Sequence, residues 1–228
     1  MGITCQRFAD YLAILCFLAS LSLICSSLIT EQWIVARVLN AKVIAKVEGS
    51  VHSGLFSGIR ILDWGLGVRV MPFSVLAELG EGTSFFGRGY WMGTVSFTCF
   101  GMLFILLAAL VTVSRTLHWS PLRVIAPTGA YVSTALAMIF LCGAASMFYF
   151  NYTEYMVDNV LLHAQLEAGF NTTNKTTIGY SFHLFIASII TLIIPPFLIS
   201  CGSRRSIRVA DSSMQKKDMS RDPTALLY

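Results

Sequence analysis

Four histidines and six cysteines carry the widest chemical repertoire in this 228-residue chain. His52, His118, His163 and His183 have no metal-ligand spacing with one another or with any cysteine. Cys16, Cys25, Cys99 and Cys142 fall inside long apolar runs, where a thiol behaves as a small hydrophobe. Cys5 and Cys201 flank the first and last of these runs, a juxtamembrane placement that suits palmitoylation. None lies in a long polar segment, so no disulfide framework is read in an outer loop. The chain also lacks a phosphate-cradling Gly-Lys-Thr loop, a nucleophile elbow and paired intramembrane carboxylates. These features argue against an enzyme, and no cofactor or metal is expected.

The remaining residues of note are suited to recognition and packing. Trp33 follows one apolar run, and a Trp at a membrane boundary sets its ring at headgroup level. Downstream come Gly54-Leu55-Phe56 and Gly65-Leu66-Gly67. The first of these offers a hinge and two large apolar groups, so Trp33 is expected to pack on Leu55 or Phe56. Three glycosylation sequons begin at Asn151, Asn171 and Asn174, and their clustering places that loop on the lumenal side. The chain ends Leu226-Leu227-Tyr228, with apolar side chains alternating as a PDZ groove requires.

The elements that position these residues follow from composition. Apolar residues make up 55% of the chain and charged ones 12%, with a mean hydropathy of +0.69. Ordinary soluble domains carry roughly 25% charged residues, so this is a membrane composition. The net charge of +4 forms no basic stripe with interleaved aromatics, and nucleic acid is not a partner. Four runs are long and apolar enough to cross a bilayer, which takes ~20 residues as a helix, at 11–29, 90–113, 124–150 and 178–201. The first is too long for a signal-peptide core and is read as a retained span. A cytoplasmic N-terminus fills 1–10, outer loops fill 30–89 and 151–177, a cytoplasmic loop fills 114–123, and a cytoplasmic tail fills 202–228. Arg115, Arg123, Arg204, Arg205 and Arg208 flank the spans on the side the positive-inside rule assigns to the cytoplasm. His183 is the one ionisable residue inside a predicted span, and it reads as an interfacial hydrogen-bonding group.

Within the spans, Gly89 with Gly93, and Gly129 with Ser133 and Ala137, form small-residue stripes for close helix packing. Pro195-Pro196 predicts a kink in the last span. In the first loop, alternation over 33–36 and 42–47 predicts strands broken at Gly49-Ser50. Gly54–Ile59 reads as a further strand, and Pro72 as the first turn of a helix carrying Phe73, Leu76, Ala77 and Leu79. The expected fold is a membrane all-α four-helix bundle with a small extracellular β-sheet in the first loop.

The sequence resembles the clarins, within the claudin-like four-span superfamily. Trp33, Gly54-Leu55-Phe56 and Gly65-Leu66 carry the resemblance in the loop. Pro127-Thr128-Gly129-Ala130-Tyr131, Tyr180-Ser181-Phe182 and the Leu227-Tyr228 ending extend it along the chain. The better-known clarins have a cysteine pair where this chain has Asn40 and Trp64, so it looks nearest to the third paralogue, which also lacks the pair. The resemblance implies a plasma-membrane protein that organises other integral membrane proteins, with lipid, PDZ or actin-linked scaffold contacts. Alternatives are an auxiliary ion-channel subunit, as stargazin-like proteins are, and a claudin-type adhesion or barrier element.

Overall fold

The computed structural model describes residues 2–40, 48–64, 67–82, 85–117, 126–157, 159–172 and 175–201. Helix α1 (Gly2–Ile29) leads into four strands, β1 (Ile34–Asn40), β2 (Glu48–Ser53), β3 (Ser57–Asp63) and β4 (Val68–Ser74). A short helix α2 (Val75–Glu81) and two long helices, α3 (Arg88–Thr116) and α4 (Ala126–Asn151), come next. A π-helical turn (Tyr152–Met156), helix α5 (His163–Glu167), strands β5 (Phe170–Asn171) and β6 (Thr176–Ile178), and helix α6 (Tyr180–Thr191) complete the order.

Four helices are long and apolar enough to cross a membrane: Arg7–Ile29, Arg88–Thr116, Thr128–Met156 and Tyr180–Cys201. They make this a multi-pass membrane protein, because in lipid a helix alone satisfies a spanning backbone from within one segment. The last of them breaks where Pro195 and Pro196 withdraw donors from the carbonyls of Thr191 and Leu192. The chain tightens there to i→i−3 bonds, with Leu192 N–H on the Ile189 carbonyl at 3.2 Å and Ile193 N–H on that of Ile190 at 3.1 Å. It then resumes as helix over 194–201.

Helices α3 and α4 pack closest. A Cβ at Gly101 would lie 2.7 Å from the Leu141 side chain, and one at Gly143 would lie 3.1 Å from the Phe97 ring. Ala137 is buried, Ser133 is buried and bonds the Gly129 carbonyl at 2.6 Å, and Gly129 faces Val111. The predicted pair at the mouth of α3 is half right. Gly93 meets Met147, but Gly89 is exposed with nothing near its missing Cβ. About one turn separates the two residues, and of them only Gly93 lies against α4.

The sheet is antiparallel, with six strands in the order β4-β3-β2-β1-β5 and β6 on the far end of β1. Both loops therefore build it, whereas only the first was expected to. Its inner face buries Ile34, Ala36, Val38, Val51 and Leu62, each no more than 1% exposed. Three readings of this region are corrected. Gly49 and Ser50 lie inside β2, opposite Val38 and Arg37. A Cβ at Gly49 would stand 2.7 Å from the Ile61 carbonyl, so the glycine answers to close packing and not to a break. Gly54–Phe56 is a turn, and β3 starts at Ser57. Pro72 lies in β4, an edge strand, where a residue without an N–H costs no ladder bond, and α2 begins only at Val75. The alternation predicted for 42–47 lies outside the described residues.

Gly101→Val should push α3 from α4 and cost about 1–3 kcal/mol. Thermal unfolding in detergent should show a lowered midpoint for it, and no drop for Gly89→Val, whose site is open.

Candidate functional site

The sheet meets the bundle at a junction built around two tryptophans. Helix α1 ends at Ile29, leaving its last carbonyls without helical partners. Thr30 N–H takes that of Ser26 at 3.1 Å, and the Trp33 indole N–H takes that of Ser27 at 2.7 Å. Trp33 is 0% exposed. Its ring sits against Phe148 of α4 at 4.7 Å, and against Phe182 and Phe185 of α6 at 5.8 and 5.5 Å. The Ser27 hydroxyl donates to the Ser181 carbonyl at 2.7 Å, and Gly179 N–H donates to the Trp33 carbonyl at 2.9 Å. The end of α1, the start of β1 and the start of α6 are laced together at this point.

Of the two partners expected for Trp33, Leu55 is buried in the same core cluster, whereas the ring partner of Phe56 is Trp91, edge-on at 6.3 Å. The Trp91 indole N–H also donates to the Leu55 carbonyl at 2.8 Å. Gly54 N–H closes the turn on the Ser57 carbonyl at 2.8 Å, and Leu55 is buried in the common core. The Gly-Leu-Phe turn thus fastens the sheet to α3. Nothing local in the sequence couples Trp91 to a turn 36 residues away.

Two buried ion pairs were not anticipated. On the inner face of β3, the Arg60 guanidinium holds the Glu78 carboxylate at both ends, at 2.5 and 2.9 Å. Arg60 is 3% exposed and lies 3.8 Å over the Phe73 ring. At the other end of the bundle, Arg115 of α3 reaches Asp10 of α1 at 3.0 Å, with both side chains nearly inaccessible. A signal for the first existed: Arg60 alternates with Gly58 and Leu62, the inward set of β3. For the second, Arg115 was read only as a flanking charge, and Asp10 stands 105 positions earlier beside a different apolar run.

The other predicted residues separate. Gly67 is exposed with φ 112°, its N–H on Asp63 Oδ1 at 3.3 Å, while Gly65 and Leu66 lie outside the described residues. Asn151 is the last residue of α4, 1% exposed, its Oδ1 accepting from Gly87 N–H at 2.8 Å. Asn171 is exposed in β5; Asn174 and Leu226, Leu227 and Tyr228 lie outside the described residues. Cys201 is exposed and unpaired by disulfide, and Cys5 falls within α1. His183 shares a hydrogen bond with the Gly179 carbonyl at 2.9 Å, and His163 pairs with Glu167 at 3.2 Å on the surface. Among the described residues no group of His, Cys, Asp or Glu could hold a metal ion. No protein-family model matches the chain, and no curated protein matches it.

Trp33→Ala should cost about 3–5 kcal/mol, seen as retention before the cell surface. Arg60→Ala removes the bidentate partner of a buried carboxylate and should cost a similar ~3–5 kcal/mol, most of it recovered by pairing Arg60→Met with Glu78→Leu. A glycan-shift gel is expected to show one major glycan, at Asn171 or Asn174, lost in the Asn171→Gln/Asn174→Gln double variant. The carboxamide of Asn151 is occupied inside the fold and should carry none.

Proposed function

We propose that this chain is a non-enzymatic tetraspan protein of clarin type that organises or stabilises a plasma-membrane protein assembly. Its sheet faces outward, both termini are cytoplasmic, and the tail reaches PDZ or actin-linked scaffolds. The observation that carries this reading is the open face of a sheet whose other face is locked to the bundle. On edge strand β4, Val68 and Val70 expose 64% and 61% of their area. Ile61 pairs with Val70, and Ile59 continues the apolar row on β3. An apolar surface held in one orientation beside a membrane is a place for another protein. The arginines at 204, 205 and 208 support an inward tail by the positive-inside rule.

The test is purification of the full chain from cell membranes in mild detergent, with identification of what accompanies it. Membrane proteins together with PDZ or actin-linked scaffolds are expected. The scaffolds should disappear when one glycine is added after Tyr228, because a PDZ groove captures the free carboxylate. A recurrent channel subunit, kept in the extended variant, would establish the auxiliary-subunit alternative instead. Recovery with no other membrane protein would overturn both.

A further inference from the structure

A cleft runs between α2 and the first turn of α3, and its two halves differ in character. One half, of about 330 Å³, is lined by the apolar Leu76, Leu79, Trp91 and Met92. The other, of about 340 Å³, is lined by Glu81, Gly82 and Phe86. Leu79, Gly80 and Arg88 line both halves, so the two adjoin.

The depth of the cleft follows from the sequence of α2. That helix buries Val75, Glu78 and Leu79 and leaves Leu76, Ala77 and Gly80 open. A helix facing water would carry polar side chains on its open side. Leu76 keeps 63% of its area open, and Met92 in the first turn of α3 keeps 56%. The membrane-crossing stretch of α3 starts at Arg88, and Tyr90 and Trp91 mark the headgroup level. The apolar half therefore opens where acyl chains begin.

The polar half carries two opposite charges. Arg88 donates to the Leu79 carbonyl at 3.1 Å, which pins the guanidinium at the rim. Among the described residues no carboxylate forms an ion pair with it. Glu81 stands on the same rim. A cation, an anion and an adjoining apolar groove complement a phosphate, an ammonium and an acyl chain. We propose that this cleft binds a zwitterionic phospholipid of the phosphocholine or phosphoethanolamine class. Arg88 takes the phosphate, Glu81 takes the ammonium, and the upper acyl chain lies along Leu76, Leu79, Trp91 and Met92. A lipid with a purely anionic head sets negative charge against Glu81, and one without a head leaves Arg88 without a counter-ion.

The test uses the full chain in mild detergent, followed by thermal unfolding as dioleoylphosphatidylcholine, dioleoylphosphatidic acid or dioleoylglycerol is added. A ligand that binds only the folded form raises the midpoint with its concentration. Dioleoylphosphatidylcholine should raise it most. Arg88→Gln keeps a donor for the Leu79 carbonyl and should weaken the phosphatidylcholine response about tenfold, with the dioleoylglycerol response unchanged. Glu81→Gln should erase the preference for phosphatidylcholine over phosphatidic acid. Each response is the midpoint shift relative to the same variant without lipid, and the dioleoylglycerol response of that variant is its internal control. Equal responses of the wild type to dioleoylglycerol and phosphatidylcholine would overturn the proposal. So would a wild-type phosphatidylcholine response in Arg88→Gln. Should Arg88→Gln fail to accumulate, Glu81→Gln decides alone, and an unchanged preference for phosphatidylcholine then refutes the assignment.

Discussion

The hydrogen bond from the Trp33 indole to the Ser27 carbonyl, 2.7 Å long and buried, sets where the sheet can stand. It satisfies a helix-end acceptor that would otherwise be lost in an apolar surround, and an orphaned acceptor there costs about 1–3 kcal/mol. The same indole places its ring among three phenylalanines drawn from α4 and α6. One side chain thus couples the end of a span, the first strand and two further spans. With Trp33 seated, β1 has a fixed origin, and β2, β3 and β4 follow from it by register. Trp91 repeats the device on α3, its indole N–H on the Leu55 carbonyl at 2.8 Å. Two anchors on different helices prevent the sheet from pivoting about either one.

The two buried ion pairs act differently from these anchors. Arg60 and Glu78 join β3 to α2, so the short helix is held to the sheet by charge as well as by Val75 and Leu79. Dehydrating two charges is costly, and such a pair adds little net stability over apolar residues of equal volume. Its contribution is selectivity: an Arg with Phe73 beneath it and a carboxylate at both ends admits few alternative placements of α2. Asp10 and Arg115 impose a similar constraint between α1 and α3 at the opposite end of the bundle. The bundle is thereby pinned at both ends, by aromatic rings on the sheet side and by charge on the other.

Legibility in the sequence tracked the range of the interactions concerned. The four spans were readable because a crossing helix depends only on its own run of apolar residues. The kink before Pro195 was readable for the same local reason. Pro72 was misread because helix-like spacing of Phe73, Leu76 and Leu79 coincides with the end of an edge strand, where proline is equally acceptable. Strands β5 and β6 have two and three residues, too short to display a period, and they exist because β1 offers them a partner. Asp10, Arg115, Glu78 and Trp91 were invisible as a set because their roles come from residues far along the chain. At the junction, the identity of Trp33 as an anchor was legible and its ring partners were not.

Asn40 and Trp64, where the resemblance to clarins would lead one to expect a cysteine pair, both meet one residue of the second loop. Asn40 at the end of β1 is paired in register with Phe170 of β5. Trp64, just past the end of β3, meets the Phe170 ring edge-on at 5.2 Å. Phe170 is 3% exposed, so one residue of the second loop touches both places. A buried aromatic of this kind is worth about 3–5 kcal/mol against alanine, comparable to the ~2–5 kcal/mol lost with a native disulfide in a small domain. The two solutions differ in what they demand. A disulfide closes the first loop on itself and needs an oxidising compartment to form. The Phe170 contact needs no oxidation, but it routes the closure through the second loop. The sheet is therefore complete only with both loops in place, and with the spans that bring them together.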